Sequence, residues 1–158
     1  MPRIEDKLDH ALYMVNTARE LNATLEQWPN VLISGLTGSG KTAITKQWAE
    51  DNGILLAPYD VSRDVTTVYR EDAGGILRPQ KAEDPVSVAK QLLYEALLPY
   101  RNGGDFILFL DDYHRATKEN LEAVYYTMDT HNIINPVTGE QIHLDNMLFT
   151  VAIKTTEL

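Results

Sequence analysis

The stretch GLTGSGKT, Gly35–Thr42, follows directly on the apolar run VLIS, Val31–Ser34. It fits the pattern G-x-x-x-x-G-K-[ST] and lies between a predicted strand, Asn30–Ser34, and a helix predicted to begin at its end. Glycines let the backbone turn sharply and bring its N–H groups close to phosphate oxygens. The helix that starts here adds its positive N-terminal end. As a plain turn, the stretch would set Lys41 against the helix dipole for no return. With a nucleotide in the loop, Lys41 reaches the β- and γ-phosphates and the Thr42 hydroxyl ligates Mg2+. The cradle is therefore expected to run through Gly35, Leu36, Thr37, Gly38, Ser39, Gly40, Lys41, Thr42 and Ala43.

A second run supports this reading. DFILFLDD, Asp105–Asp112, holds five consecutive apolar residues, which suits a parallel strand covered on both faces. In a parallel sheet its carboxyl end opens onto the same crevice as the glycine loop. Asp111 is then expected to hold Mg2+ and Asp112 to polarise the attacking water near the γ-phosphate.

Outward from these two runs, strands alternate with helices. Ile4, Leu8, Leu12, Val15, Ala18, Leu21 and Leu25 recur at helical spacing and predict an amphipathic helix over residues 4–27, with Pro2 near its start. Gly53 is placed as the cap of the helix that follows the glycine loop. ILLAPYDVS, Ile54–Ser62, reads as a strand that Pro58 confines to a sheet edge. Residues around Gly74-Gly75 read as a hairpin. DPVSVAKQLLYEALLPY is helical, with Val88, Leu92, Leu93, Ala96 and Leu97 on one face. TKENLEAVYYTMDTH is helical, with Thr117 as cap and Leu121, Val124, Tyr125 and Met128 facing in. Asn132–Leu144 reads as a small hairpin and NMLFTVAI as a last core strand. The alternation implies an α/β layer fold with a mainly parallel sheet.

Composition narrows the function classes. The 158 residues are 44% hydrophobic and 23% charged, with a formal net charge of −9 and no cysteine. That excludes a disulfide framework and a zinc-thiolate site, and disfavours a general nucleic-acid or acidic-membrane surface. No apolar run approaches membrane-spanning length. The four histidines, His10, His114, His131 and His143, show no ligand spacing. Trp28 and Trp48 are expected in core or rim packing. The sequon Asn22-Ala23-Thr24 is incidental on a cytoplasmic protein.

From Leu110 to Ala152 the chain reads LDDYHRATKENLEAVYYTMDTHNIINPVTGEQIHLDNMLFTVA. This resembles the centre of AAA+ ATPases, specifically the MoxR and dynein-related (AAA_5-like) branch. That branch shows Asp-Glu-Ile-Asn-Arg-Ala where this chain has Asp111 to Ala116, then a helix, a hairpin and the sensor-1 strand. The hairpin near Gly74-Gly75 falls where the branch carries an insert. The resemblance spans roughly residues 28–157 and implies a three-layer αβα P-loop NTPase core over residues 30–158. Residues 1–29 would add a helix packed on that core. It also implies ATP or ADP as ligand, Mg2+ as cofactor, and hydrolysis coupled to remodelling of a partner protein. The catalytic set it implies is Lys41, Asp112 and Thr155, the last at the sensor-1 position. Arg115 matches the arginine after the family's acidic pair and is expected as a salt bridge, a subunit contact or a solvated charge.

Three departures from the family shape the expectations. Asp112 stands where the family carries glutamate, and Thr155 where it carries asparagine. The family's arginine finger, fifth strand and helical lid have no counterpart, so the core is expected to be truncated after the sensor-1 strand. In the family's order 5-1-4-3-2 this leaves VLIS as an open edge, to be covered by the N-terminal helix, by self-association or by a partner protein. Slow hydrolysis follows, and two alternatives stay open: a nucleotide-gated module that does not hydrolyse, and a small P-loop kinase acting on a metabolite. The hairpin Asn132–Leu144 contains no Lys or Arg, which speaks against a DNA-tracking role.

Overall fold

The computed structural model describes residues 3–23 and 28–156. Its helices are α1 (Ile4–Glu20), α2 (Lys41–Asp51), α3 (Pro85–Leu97) and α4 (Lys118–Thr130). Its strands are β1 (Asn30–Leu36), β2 (Leu55–Pro58), β3 (Thr67–Glu71), β4 (Leu77–Lys81), β5 (Phe106–Leu110), β6 (Asn132–Ile134), β7 (Gln141–His143) and β8 (Met147–Thr156). The central sheet has the order β1-β8-β5-β2, and all three of its pairings are parallel. The pairs β3–β4 and β6–β7 are separate antiparallel hairpins.

Two apolar cores sandwich this sheet. Leu8 and Val15 of α1 and Trp48 of α2 pack with Ile107, Phe109, Phe149 and Ile153 on one face. Leu93 and Leu97 of α3 and Val124 of α4 pack with Phe106, Leu108 and Leu110 on the other. Successive residues of β5 thus enter opposite cores, and all five are buried. Each such side chain contributes about 1.5–3 kcal/mol through burial. The result is the expected α/β fold, a three-layer αβα arrangement with two hairpins added.

Local chemistry sets the element ends. Asp84 accepts a hydrogen bond from the Ser87 N–H, and Pro85 opens the first turn of α3. The Thr117 side chain accepts from the Asn120 N–H at the start of α4, as expected. Gly53 takes a left-handed backbone (φ 67°) just past α2.

The structure corrects several boundaries and faces. α1 ends at Glu20, and Leu21 is exposed rather than in the core. Asn22 there adopts a left-handed φ of 50°, which stops the helix against its own apolar periodicity. Pro2, Leu25 and Thr24 of the sequon lie outside the described residues. β2 sits at the sheet edge as Pro58 requires, but it stops at Pro58 rather than Ser62. Asn120, Ala123, Val124 and Thr127 form the buried stripe of α4, so Tyr125 is exposed and Leu121 only half-buried. α1 covers a face of the sheet, and among the described residues no strand pairs with the outer edge of β1. No helix among the described residues is long and apolar enough to cross a membrane.

Candidate functional site

β1 runs two residues further than its apolar pattern predicts, with Gly35 opposite Thr155 and Leu36 opposite Thr156 of β8. The chain then turns through Gly38 (φ 79°) and Gly40 (φ 81°), both in the left-handed region that favours glycine. Gly40 is the residue from which α2 starts. At Gly35 the requirement is closeness instead. A Cβ there would lie 3.2 Å from both Lys41 Cδ and Ser39 Oγ.

The Lys41 side chain is buried and folds back into the loop. Its Nζ donates to the carbonyls of Leu36 (2.8 Å) and Gly35 (3.0 Å) and to Ser39 Oγ (3.2 Å). These bonds satisfy the ammonium and hold the loop in a closed ring. The N–H groups of Lys41, Thr42 and Ala43, in the first turn of α2, have no intrahelical acceptor.

A cavity of about 330 Å3 opens over this turn. Thr37, Gly38, Gly40, Lys41, Thr42 and Ala43 line one side. Asp111 and Asp112 come from the end of β5, and Ile153 and Thr155 from β8. Three adjacent strands thus deliver the glycine loop, both carboxylates and Thr155 to one space. Gly35, Leu36 and Ser39 lie behind it, as the acceptors that hold Lys41.

Asp111 and Asp112 are both exposed. Asp112 has a left-handed backbone (φ 54°), uncommon for a residue with a side chain. Its N–H donates to Asp111 Oδ1 at 2.9 Å, which ties the two carboxylate residues into one turn. Arg115 is exposed, with its N–H donating to the Asp112 carbonyl at 2.9 Å; it forms no salt bridge among the described residues.

Two residues near the site were given no role there by the sequence. His114 Nδ1 accepts a hydrogen bond from the Thr155 N–H at 3.2 Å and so pins the end of β8 to the turn after β5. A lone histidine among four gave no signal for this. Asn120 is fully buried in the α4 first turn. Its Nδ2 donates to the carbonyls of Val61 and Arg63, and its Oδ1 accepts from the Tyr59 hydroxyl at 2.6 Å. Burial pushes the Tyr59 pKa up to about 12, so the phenol stays protonated and donating. The network fixes the loop after β2 beside a second cavity of about 350 Å3. Lys46, Asp60 and Ser62 line that cavity, and it shares Asp111 and Asp112 with the first.

No protein-family model matches the chain, and a search among curated proteins finds no match. Solved structures do resemble it. Two mutant forms of RuvB from Thermotoga maritima superpose with a TM-score of 0.50 each, at 18% and 19% identity. The matches cover 98% and 97% of this chain but 38% and 40% of the RuvB chains, so the chain spans about two fifths of their length. The likeness establishes the fold, a P-loop NTPase fold like that of RuvB.

Proposed function

We propose that this chain is a AAA+-type domain that binds ATP with Mg2+ and hydrolyses it slowly, coupled to remodelling of a partner protein. One observation carries the reading: the glycine loop, Asp111, Asp112 and Thr155 line a single cavity over the N-terminus of α2. The order of motifs from Leu110 to Ala152 supports the MoxR and dynein-related branch. Dependence on ATP supply favours a cytoplasmic location.

The residues fit the ligand. Backbone N–H groups and the α2 dipole suit the phosphates. Lys41 exchanges its three loop acceptors for phosphate oxygens. Among the described residues, no group of three or more His, Asp or Glu could hold a metal by itself. Mg2+ asks for less, because it is commonly held by one or two protein ligands plus substrate phosphates. Thr42 and Asp111 would be those ligands, and the ion would neutralise charge on the phosphate oxygens. Asp112 accepts a proton from the attacking water, and Thr155 orients that water or the γ-phosphate. His114 positions Thr155 through its backbone.

Asp111→Asn should weaken Mg2+-dependent ATP affinity. Asp112→Asn should lower kcat while leaving affinity near wild type, because its role is confined to the transition state. Paired calorimetric titration and single-turnover hydrolysis test this, and equal turnover in wild type and Asp112→Asn would remove Asp112 from the base role. A second reading is a nucleotide-gated module without hydrolysis. No side chain among the described residues hydrogen-bonds the Asp112 carboxylate to orient it. Wild-type binding without turnover, even with added partner proteins, would select this reading.

A further inference from the structure

Two asparagines of this chain precede a glycine, Asn52 before Gly53 and Asn102 before Gly103. Asparagine is the chemically labile member of such a pair. The backbone nitrogen of the next residue can attack its side-chain carbonyl carbon, and glycine, with no Cβ, hinders that approach least. In an unfolded chain the two pairs are near equivalents. The fold makes them different.

Asn52-Gly53 is built into the end of α2. Asn52 Nδ2 donates to the Trp48 carbonyl at 2.8 Å, which holds the side chain back over the helix. The Gly53 N–H donates to the Glu50 carbonyl at 3.1 Å, and the Ile54 N–H to the Ala49 carbonyl at 2.9 Å. Attack here would require the side chain to leave its acceptor and the peptide to swing out of the helix cap.

Asn102-Gly103 lies in the loop between the 3-10 turn Leu98–Tyr100 and β5. Residues 101–104 are all exposed. The side-chain bonds to this loop run from Asn146 Nδ2 to the carbonyls of Tyr100, Gly103 and Gly104, and the Asn102 side chain takes part in none of them. The Gly103 N–H is engaged only with the Tyr100 carbonyl, at 3.2 Å. Gly103 has no left-handed backbone, and a Cβ there would meet nothing closer than the Tyr100 carbonyl oxygen at 3.8 Å. The nitrogen therefore has room around it, and alanine at this position fits without strain.

We propose that Asn102 is a site of spontaneous covalent modification in the folded protein. The Gly103 nitrogen loses its proton and bonds to Asn102 Cγ, and the side-chain nitrogen leaves as ammonia. Water then opens the cyclic imide at either carbonyl. Opening at the side-chain carbonyl restores the ordinary backbone, with aspartate in place of asparagine. Opening at the backbone carbonyl gives isoaspartate, with an extra methylene in the main chain. That methylene displaces the Gly103 and Gly104 carbonyls from Asn146 Nδ2. Either product also adds a carboxylate close in sequence to Asp105, the partner of Arg19. The modified chain is therefore less stable at the amino ends of the strands. This inference does not depend on the nucleotide reading.

Ageing the full chain tests it. Folded wild type is incubated at mildly alkaline pH and digested, and the peptides are read by mass for replacement of the amide NH2 by OH. Labelling by isoaspartyl methyltransferase then reports the isoaspartate. Asn102 should convert at least tenfold faster than Asn52, because local structure protects the second pair. In urea the two should convert at similar rates. Gly103→Ala should slow conversion at Asn102 roughly tenfold, and circular dichroism verifies that it folds. Aged wild type should unfold at a lower denaturant midpoint than fresh protein, and equally aged Gly103→Ala should keep its midpoint. An Asn102 that stays unmodified in the folded chain would overturn the proposal. So would an Asn52 that converts as fast in the folded chain or lags as much in urea, or a Gly103→Ala chain that converts as fast as wild type. A fully converted chain with the midpoint of fresh protein would overturn the consequence for the Asn146 loop.

Discussion

The two ends of the parallel sheet are built on opposite principles. At the carboxyl ends, backbone bends into left-handed conformations at Gly38, Gly40 and Asp112, and the two carboxylates are exposed. At the amino ends, side chains tie loops to one another. Asn146 Nδ2 lies 2.7, 3.1 and 2.8 Å from the carbonyls of Tyr100, Gly103 and Gly104. Arg19 bridges Asp105 at 3.0 Å and reaches the Asp145 carbonyl. Trp28 stacks on the buried His131 ring at 3.7 Å. One end leaves its two carboxylates exposed, and the other uses its polar side chains to tie its loops together. Substitutions at the first should therefore change binding with little effect on stability, and substitutions at the second should do the reverse.

The largest expected effect is Lys41→Ala, which should lower ATP·Mg2+ affinity at least 100-fold, about 3 kcal/mol. Calorimetric titration reads this, and unchanged affinity would end the phosphate-cradle assignment. Next comes Asn146→Ala, which removes the donor shared by three loop carbonyls and should cost about 2–3 kcal/mol of stability. Denaturant unfolding measures the loss, while ATP affinity should stay at the wild-type value; a shift in affinity would show that the two ends are coupled.

His131 sharpens the contrast through pH. Burial, aided by the neighbouring His143 and Arg19, pushes its pKa down to about 4. Above pH 6.5 the ring is neutral in both folded and unfolded chains, and its contribution is fully present. Between pH 6.5 and 4 the unfolded chain takes up a proton that the folded chain refuses, so stability falls by about 1–3 kcal/mol from this group. His131→Gln should flatten the dependence of the melting temperature over that window, and identical slopes would count against it.

The smallest effect lies at Asp112. Asparagine tolerates a left-handed backbone better than most residues, so Asp112→Asn should gain about 0.5 kcal/mol while turnover falls. A melting temperature that drops would show that the carboxylate, not the backbone, governs that turn.

Much of this arrangement was legible in the residues. Apolar period and turn chemistry located all four strands of the sheet and both hairpins, and the glycine loop with Asp111 and Asp112 pointed to a common crevice. What was not legible depends on contacts between distant segments. Tyr125 fits the helical period of the α4 core, yet Asn120, Ala123, Val124 and Thr127 take the buried face and Tyr125 stays exposed. Asn120 reads as a polar residue near a cap, and only the packed loop at Val61–Arg63 supplies the acceptors that justify its burial. The hydrogen bond from Thr155 to His114 joins the end of β8 to the turn after β5 and leaves no trace in local pattern. The early end of α1 rests on one residue, Asn22, whose left-handed preference is invisible beside a continuing apolar repeat.

The pairing of β1 with β8 also sets a timetable. Asn30 meets Thr150, 120 positions later in the chain. β8, the last of the described strands, sits between β1 and β5 and hydrogen-bonds both. During synthesis at about 5–20 residues per second, VLIS therefore waits roughly 6–24 s before its neighbour exists. β2 and β5 can zip earlier, but the glycine loop has no fixed orientation until β8 inserts. Assembly of the site thus waits for the last of the described strands, and a nascent chain halted before Met147 would expose an unguarded apolar strand to whatever lies nearby.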